Sequence, residues 1–212
     1  MNAPLVLLSI AVLGTALLEL RAEVTGPRTR VYVFKPLTTT LIIVLALLAP
    51  EPVSPLYHIA IVVGLVFSLG GDVFLMLPSD RFVAGLVSFL GAHVCYLVAF
   101  TSEAGFVFSI WSLLPFLLFG VLLFRVLWPH VGTLRLPVLV YGVVILLMGW
   151  QAFEYWHQTG TTDSLLAFLG AVLFVLSDAV LAINRFVKPL KAARVVIMST
   201  YYTAQWLIAL SV

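Results

Sequence analysis

The chain has 212 residues, of which 63% are hydrophobic and 9% charged, with a formal net charge of +2. A soluble domain carries about 25% charged residues, so this chain has too few polar groups to cover a globule in water and is read as lipid-embedded. The single cysteine, Cys95, excludes an intrachain disulfide, and the sequence contains no CxxC, HExxH, glycine-rich phosphate loop or basic stripe. Protein-only zinc or iron–sulfur sites and nucleic-acid binding are disfavoured accordingly.

A helix that crosses a bilayer needs roughly 20 mostly apolar residues. Breaks at Pro, Gly and charge clusters give eight candidates, near 3–21, 32–49, 56–77, 82–101, 105–126, 136–155, 163–184 and 192–211. The first is expected to be a retained helix, because the N-terminus lacks the positive region of a cleaved signal peptide. The narrowest break is Ser102-Glu103-Ala104-Gly105 between the fourth and fifth segments. The fold expected is therefore all-α: one integral membrane domain, 1–212, a bundle of about eight transmembrane helices with short connections.

The eleven Lys and Arg residues test that count. Arg21, Arg28, Arg30 and Lys35 fall at the first connection and Arg81 at the third. Arg125 and Arg135 flank the fifth, and Arg185, Lys188, Lys191 and Arg194 mark the seventh. The even connections and both ends of the chain have none. Positive residues mark the cytoplasmic side, so the odd connections are expected inside and both termini outside. Short loops favour a bacterial cytoplasmic membrane.

Residues 64–76 and 170–182 echo each other, with Gly64, Val66, Asp72 and Leu75 aligning with Gly170, Val172, Asp178 and Leu181. A duplicated four-helix unit would produce this. Asp72 lies nine residues before Arg81 and Asp178 seven before Arg185. At 1.5 Å per residue, both lie roughly 10–14 Å below the cytoplasmic charge layer.

An ionisable residue at that depth is costly and must face the bundle interior or water. Asp is too short to reach the headgroups, so Asp72 and Asp178 are the leading functional candidates; the structural alternative is a partner such as Arg185 holding Asp178. His93, with Tyr96 one turn away, is either a packing histidine or part of the site. Tyr201 and Gln205 share a face of the last helix. Lys35 and Glu19 lie at inner helix ends, where snorkelling is the simpler reading and Lys35 could also meet an anionic headgroup. Glu154 and His157 are expected to be solvated at the outer interface. Trp111, Trp128, Trp150 and Trp156 are read as interfacial belts.

Several short motifs, in this order, resemble those of the YhhN-like family of lysoplasmalogenases. They are Lys35-Pro36-Leu37-Thr38-Thr39, Gly71-Asp72-Val73-Phe74-Leu75-Met76, Gly91-Ala92-His93-Val94-Cys95-Tyr96, Leu173-Phe174-Val175-Leu176-Ser177-Asp178 and Tyr201-Tyr202-Thr203-Ala204-Gln205. The resemblance implies hydrolysis of the vinyl ether bond of lysoplasmalogens, giving a fatty aldehyde and a glycerophospho-base. On that reading Asp72 and Asp178 form an acid/base pair, and His93 or Tyr201 orients water. Lys35, Tyr96, Asn184, Arg185 and Gln205 would contact the lysophospholipid, with no cofactor required. Which Asp is acid and which base is left open, as is metal ligation by the carboxylates with His93. The rival readings are a proton-coupled transporter using the same aspartates and a scaffold in which they only hold helices together.

Overall fold

The computed structural model describes residues 3–50 and 52–212. The described chain forms α1 (Ala3–Thr25), α2 (Arg28–Leu47), α3 (Pro55–Met76), α4 (Phe82–Ala104), α5 (Ile110–Leu127), α6 (Arg135–Thr159), α7 (Thr162–Ala182) and α8 (Ala193–Leu210). A 3₁₀ turn, Gly132–Leu134, leads into α6, and a π turn, Ile183–Val187, extends α7. α1 to α7 are long and apolar enough to cross a membrane. α8 is the exception in composition because Tyr201, Tyr202, Thr203 and Gln205 occupy its middle; Tyr201, Tyr202 and Gln205 are buried in the bundle. The protein is a multi-pass integral membrane protein.

Local chemistry sets the helix ends. Ser54 caps α3 by accepting a hydrogen bond from the Tyr57 N–H at 3.2 Å, with Pro55 pre-setting the first turn. Thr161 caps α7 in the same way through Ser164. Gly105 ends α4 at φ +71°, where a side chain would be strained. The chain is irregular over 105–109, so α5 begins five residues later than the hydropathy suggested. Irregular backbone at membrane depth survives only if its polar groups are met by protein. Gln151 of α6 does this, accepting from the Val107 N–H at 3.1 Å and donating to its carbonyl at 2.9 Å.

Seven helices close a ring, in the order α1, α2, α3, α4, α6, α7, α8 and back to α1, while α5 lies outside against α6. α5 buries only Gly120 and Leu127. The tightest pairs are α3 with α4 and α7 with α8. Small residues allow this approach: Gly64 lies under the Tyr96 ring and Gly71 under the Phe89 ring.

Contacts between connections separate the two ends. Arg185 meets Asp80 at 2.6 Å and Arg194 meets Glu23 at 3.2 Å, joining the first, third and seventh connections into one basic end. At the other end Ser54 bonds Glu103, and Val53 N–H donates to the Val212 carbonyl.

Four placements differ from expectation. Lys35, expected to snorkel, is buried beside Asp72. Glu19 is fully buried, because its position on α1 turns into the ring and not toward lipid or solvent. Glu154 is also buried, where it accepts from Ser112 and from the Trp150 indole. Trp150 is thereby an interior hydrogen-bond donor, whereas Trp111 is 80% exposed, as an interfacial residue would be.

Candidate functional site

A polar cavity of about 230 Å³ lies among the basic ends of the helices. α3 supplies Asp72, α7 supplies Ser177 and Asp178, α2 supplies Lys35, α8 supplies Arg194 and Tyr201, and α1 supplies Glu23. Asn184 of the π turn completes the polar lining. The two aspartates, 106 positions apart in the chain, thus share one cavity. Arg194 is 65% exposed, so the cavity reaches solvent at the basic end.

The two carboxylates have different surroundings. Asp72 is buried and accepts hydrogen bonds from the Thr39 hydroxyl at 2.6 Å and the Tyr201 hydroxyl at 2.8 Å, and the Lys35 ammonium forms an ion pair with it at 3.7 Å. Among the described residues no Lys or Arg pairs with Asp178. It accepts from the Tyr141 hydroxyl and lies 3.6 Å from Nε2 of His93. His93 is fully buried, edge-on to Phe174 at 4.6 Å, and neither ring nitrogen makes a hydrogen bond.

Asp178 also borders a second space. A narrow apolar slot of about 70 Å³ runs between α4, α5, α6 and α7 beneath the outlying α5. Phe82, Phe119, Phe124, Ile145 and Val175 line it, and Gly120 and Gly142 widen it. The slot and the polar cavity have Leu75, Phe89, Asp178 and Leu181 in common.

Of the residues singled out by sequence, Asp72, Asp178, Lys35, Tyr201 and Asn184 line the polar cavity, with His93 behind Asp178. Asn184 also accepts from the Leu190 N–H at 2.9 Å and so fixes the turn after α7. Tyr96 and Gln205 bond each other at 2.6 Å in the core, outside the cavity lining, and Ser68 joins them at 3.4 Å. Arg185 is neither in the cavity nor on Asp178; Asp80 and the face of Phe82 occupy it. Tyr141, Glu23 and Arg194 join the site in the structure without standing out as site residues in the sequence. A tyrosine in mid-span was a usable signal for Tyr141; the face on which Glu23 and Arg194 meet is set only by the packing of α1 on α8. Among the described residues no three His, Cys, Asp or Glu side chains converge as metal ligands.

The YhhN family model matches residues 31–212. Escherichia coli O157:H7 membrane protein YhhN is 32% identical over 205 residues, covering 95% of this chain and 96% of that one. Bovine lysoplasmalogenase TMEM86A is 37% identical over 156 residues, covering 71% of this chain and 64% of the bovine one. Human lysoplasmalogenase TMEM86B is 39% identical over 150 residues, covering 69% and 60% respectively. The match therefore spans less than two thirds of either mammalian protein. No solved structure matches the chain. With its family match running over residues 31–212 and a relative 32% identical across 95% of its length, this chain belongs to the YhhN family.

Proposed function

We propose that the protein is a hydrolase that cleaves the vinyl ether bond of lysoplasmalogens, with Asp72 and Asp178 as its acid/base pair. The observation that carries this reading is the meeting of a polar, charged cavity and an apolar slot at Asp178. A single-chain amphiphile has the same division, and its vinyl ether lies at the junction of head and tail. The mammalian relatives named lysoplasmalogenase point to the same substrate.

Asp178 is the proton donor. It has no cation to hold it ionised and stands where the chain enters the slot. Its proton goes to the β-carbon of the vinyl ether; a C–H bond forms, the π bond is lost, and an oxocarbenium ion remains at the α-carbon. Asp72, kept ionised by Lys35, Thr39 and Tyr201, opposes that positive charge and takes a proton from the water that adds. The hemiacetal then collapses. The hemiacetal hydroxyl gives its proton to the Asp178 carboxylate, the protonated Asp72 gives its proton to the glycerol oxygen, the bond from the α-carbon to that oxygen breaks, and fatty aldehyde and glycerophospho-base leave with both carboxyl groups as they began. Two carboxyl groups handling an oxocarbenium ion in this way parallel glycoside hydrolysis. His93 positions Asp178, and Arg194 meets the lipid phosphate with Glu23 beside the base's ammonium. The first chain carbons fill the slot and the rest runs out past α5 into lipid. The basic end, and with it the headgroup, faces the cytoplasm.

The test is aldehyde release from a lysoplasmalogen by purified protein, with and without chelator, for the native chain, Asp72→Asn and Asp178→Asn. Release by the native chain, lost in both folded variants, supports the reading. No release from any lysolipid by folded native protein overturns it.

A further inference from the structure

The walls of the apolar slot do not close equally. Three close approaches seal α5 onto α6 along its length. A Cβ on Gly142 would stand 2.9 Å from the Phe124 ring, one on Gly120 2.5 Å from a Leu146 methyl, and one on Gly149 3.2 Å from the Phe116 ring. The hollow on the lipid side of that seam shares only Leu146 with the slot, and Leu146 is the side chain wedged against Gly120. Toward the basic end, Phe82 and Phe186 meet edge to face at 5.5 Å and close the slot there.

The side toward α7 is different. α5 packs on α6 and on the π turn, with no comparable contact to α7. Between α5 and α7 lies an apolar cleft of about 160 Å³, lined by Pro115, Phe116 and Phe119 of α5 and by Val172, Val175 and Leu176 of α7. Phe119 and Val175 also line the slot, so the two spaces adjoin. Val175 and Val172 stand three and six residues before Asp178. The cleft therefore lies roughly 5–9 Å along α7 from Asp178, away from the basic end and toward the middle of the bilayer. A lipid with its headgroup at the basic end sends its chain in that direction.

α5 is held at its ends and looser between them. Ser112, near its start, bonds Glu154 and accepts from the Trp150 indole at 2.9 Å, and Leu127, at its end, is buried with Val131 and Val138. Pro115 has no N–H to give the Trp111 carbonyl, so the helix lacks that hydrogen bond where it borders the cleft.

We propose that the cleft between α5 and α7 is the portal through which the alkenyl chain slides from the bilayer into the slot, and through which the fatty aldehyde returns. Phe119 and Val175 form the sill between cleft and slot. The occupant is a lipid chain because the cleft is apolar, lies at mid-membrane depth and is continuous with the space beside Asp178. By this route the chain never has to enter water. The inference rests on the hydrolase reading for what reacts at Asp178, not for the route.

Two experiments on the full chain in lipid nanodiscs test it. The first needs no turnover. An alkyl-ether lysophospholipid, which has no vinyl ether to cleave, carries a photoreactive diazirine in mid-chain, and the labelled residues of the native protein are mapped by mass spectrometry. Label is expected at 115–119 and 172–176, falling about tenfold under a large excess of the unlabelled lysolipid. Label confined to the α5–α6 seam at Leu113, Leu117 and Val143 overturns the portal, and so does cleft label that the excess does not reduce. The second experiment uses paired cysteines, with Cys95→Ala removing the native thiol, and a short reducible cross-linker. Linking Phe116→Cys to Val172→Cys across the cleft should cut steady-state release of aldehyde from a long-chain lysoplasmalogen about tenfold, with recovery on reduction. Linking Leu117→Cys to Val143→Cys across the α5–α6 seam should leave release within about twofold. Equal losses from the two links, or no loss from the cleft link, overturn the portal. If the native protein releases no aldehyde while the cleft is labelled and protected by excess lysolipid, the hydrolase reading fails and the portal stands.

Discussion

Lys35 and Asp72 form a buried ion pair across α2 and α3, 3.7 Å apart, whereas Asp178 faces the same cavity and pairs with no Lys or Arg among the described residues. That asymmetry separates the two carboxylates chemically. Loss of an acid/base group costs roughly 10²–10⁴-fold in rate, and Asp72→Asn and Asp178→Asn are each expected to lose aldehyde release by that order. Their stabilities should differ. Asp72→Asn strands the buried Lys35 ammonium and should lower the melting temperature, and Lys35→Met added to it should restore the temperature but not the activity. Differential scanning fluorimetry beside the aldehyde assay reads both.

The slot beneath α5 predicts chain selectivity. A Cβ on Gly142 would stand 2.9 Å from the Phe124 ring, and both residues line the slot. Gly142→Leu therefore pushes side chains into the space for the first chain carbons. Turnover of a long-chain lysoplasmalogen should fall about tenfold relative to an analogue with a very short alkenyl chain. An equal loss on both substrates would point to a general packing defect instead.

The spans were legible because hydrophobic length is a local property, and Asp72 and Asp178 stood out because a carboxylate inside a span needs a reason. What the sequence could not supply was rotation and neighbour. α4 packs against α6 and skips α5, so His93 of α4 comes to lie beside Tyr141 of α6 and 3.6 Å from Asp178, a neighbourhood the chain order does not suggest. Glu19 and Glu154 lie near helix ends, where solvation is the default expectation, yet each turns inward because of which helix lies beside it. Asn184 reached the candidate set and lines the cavity, but the π turn that presents it has no local sequence signal.

Arg194, exposed at the cavity mouth, is the cation proposed to meet the lipid phosphate. Arg194→Gln is expected to raise KM about tenfold with kcat little changed, the pattern of lost uniform binding. Native KM should rise with ionic strength, because this contact is solvent-screened, and the variant should lose most of that dependence. Initial-rate kinetics across a salt series distinguish this from a folding effect.

Arg185 supplies the contrast. It shares the basic end with Arg194, but it bonds Asp80 at 2.6 Å and stacks on Phe82 outside the cavity. Its hydrogen bond holds the Asp80 carboxyl below the usual range. A carboxylate with a lowered value in the folded state adds stability above its unfolded value and loses it as pH falls through the lowered one. The third and seventh connections should therefore loosen only in acid, below the ordinary Asp range. Both partners are solvent-exposed, so the contribution is small. Arg185→Gln should leave KM and kcat within about twofold while abolishing that acid-dependent step in amide exchange over 77–81 and 183–192. A KM rise matching that of Arg194→Gln would instead place Arg185 on the lipid headgroup, and the Asp80 pair would then be a resting contact that substrate displaces.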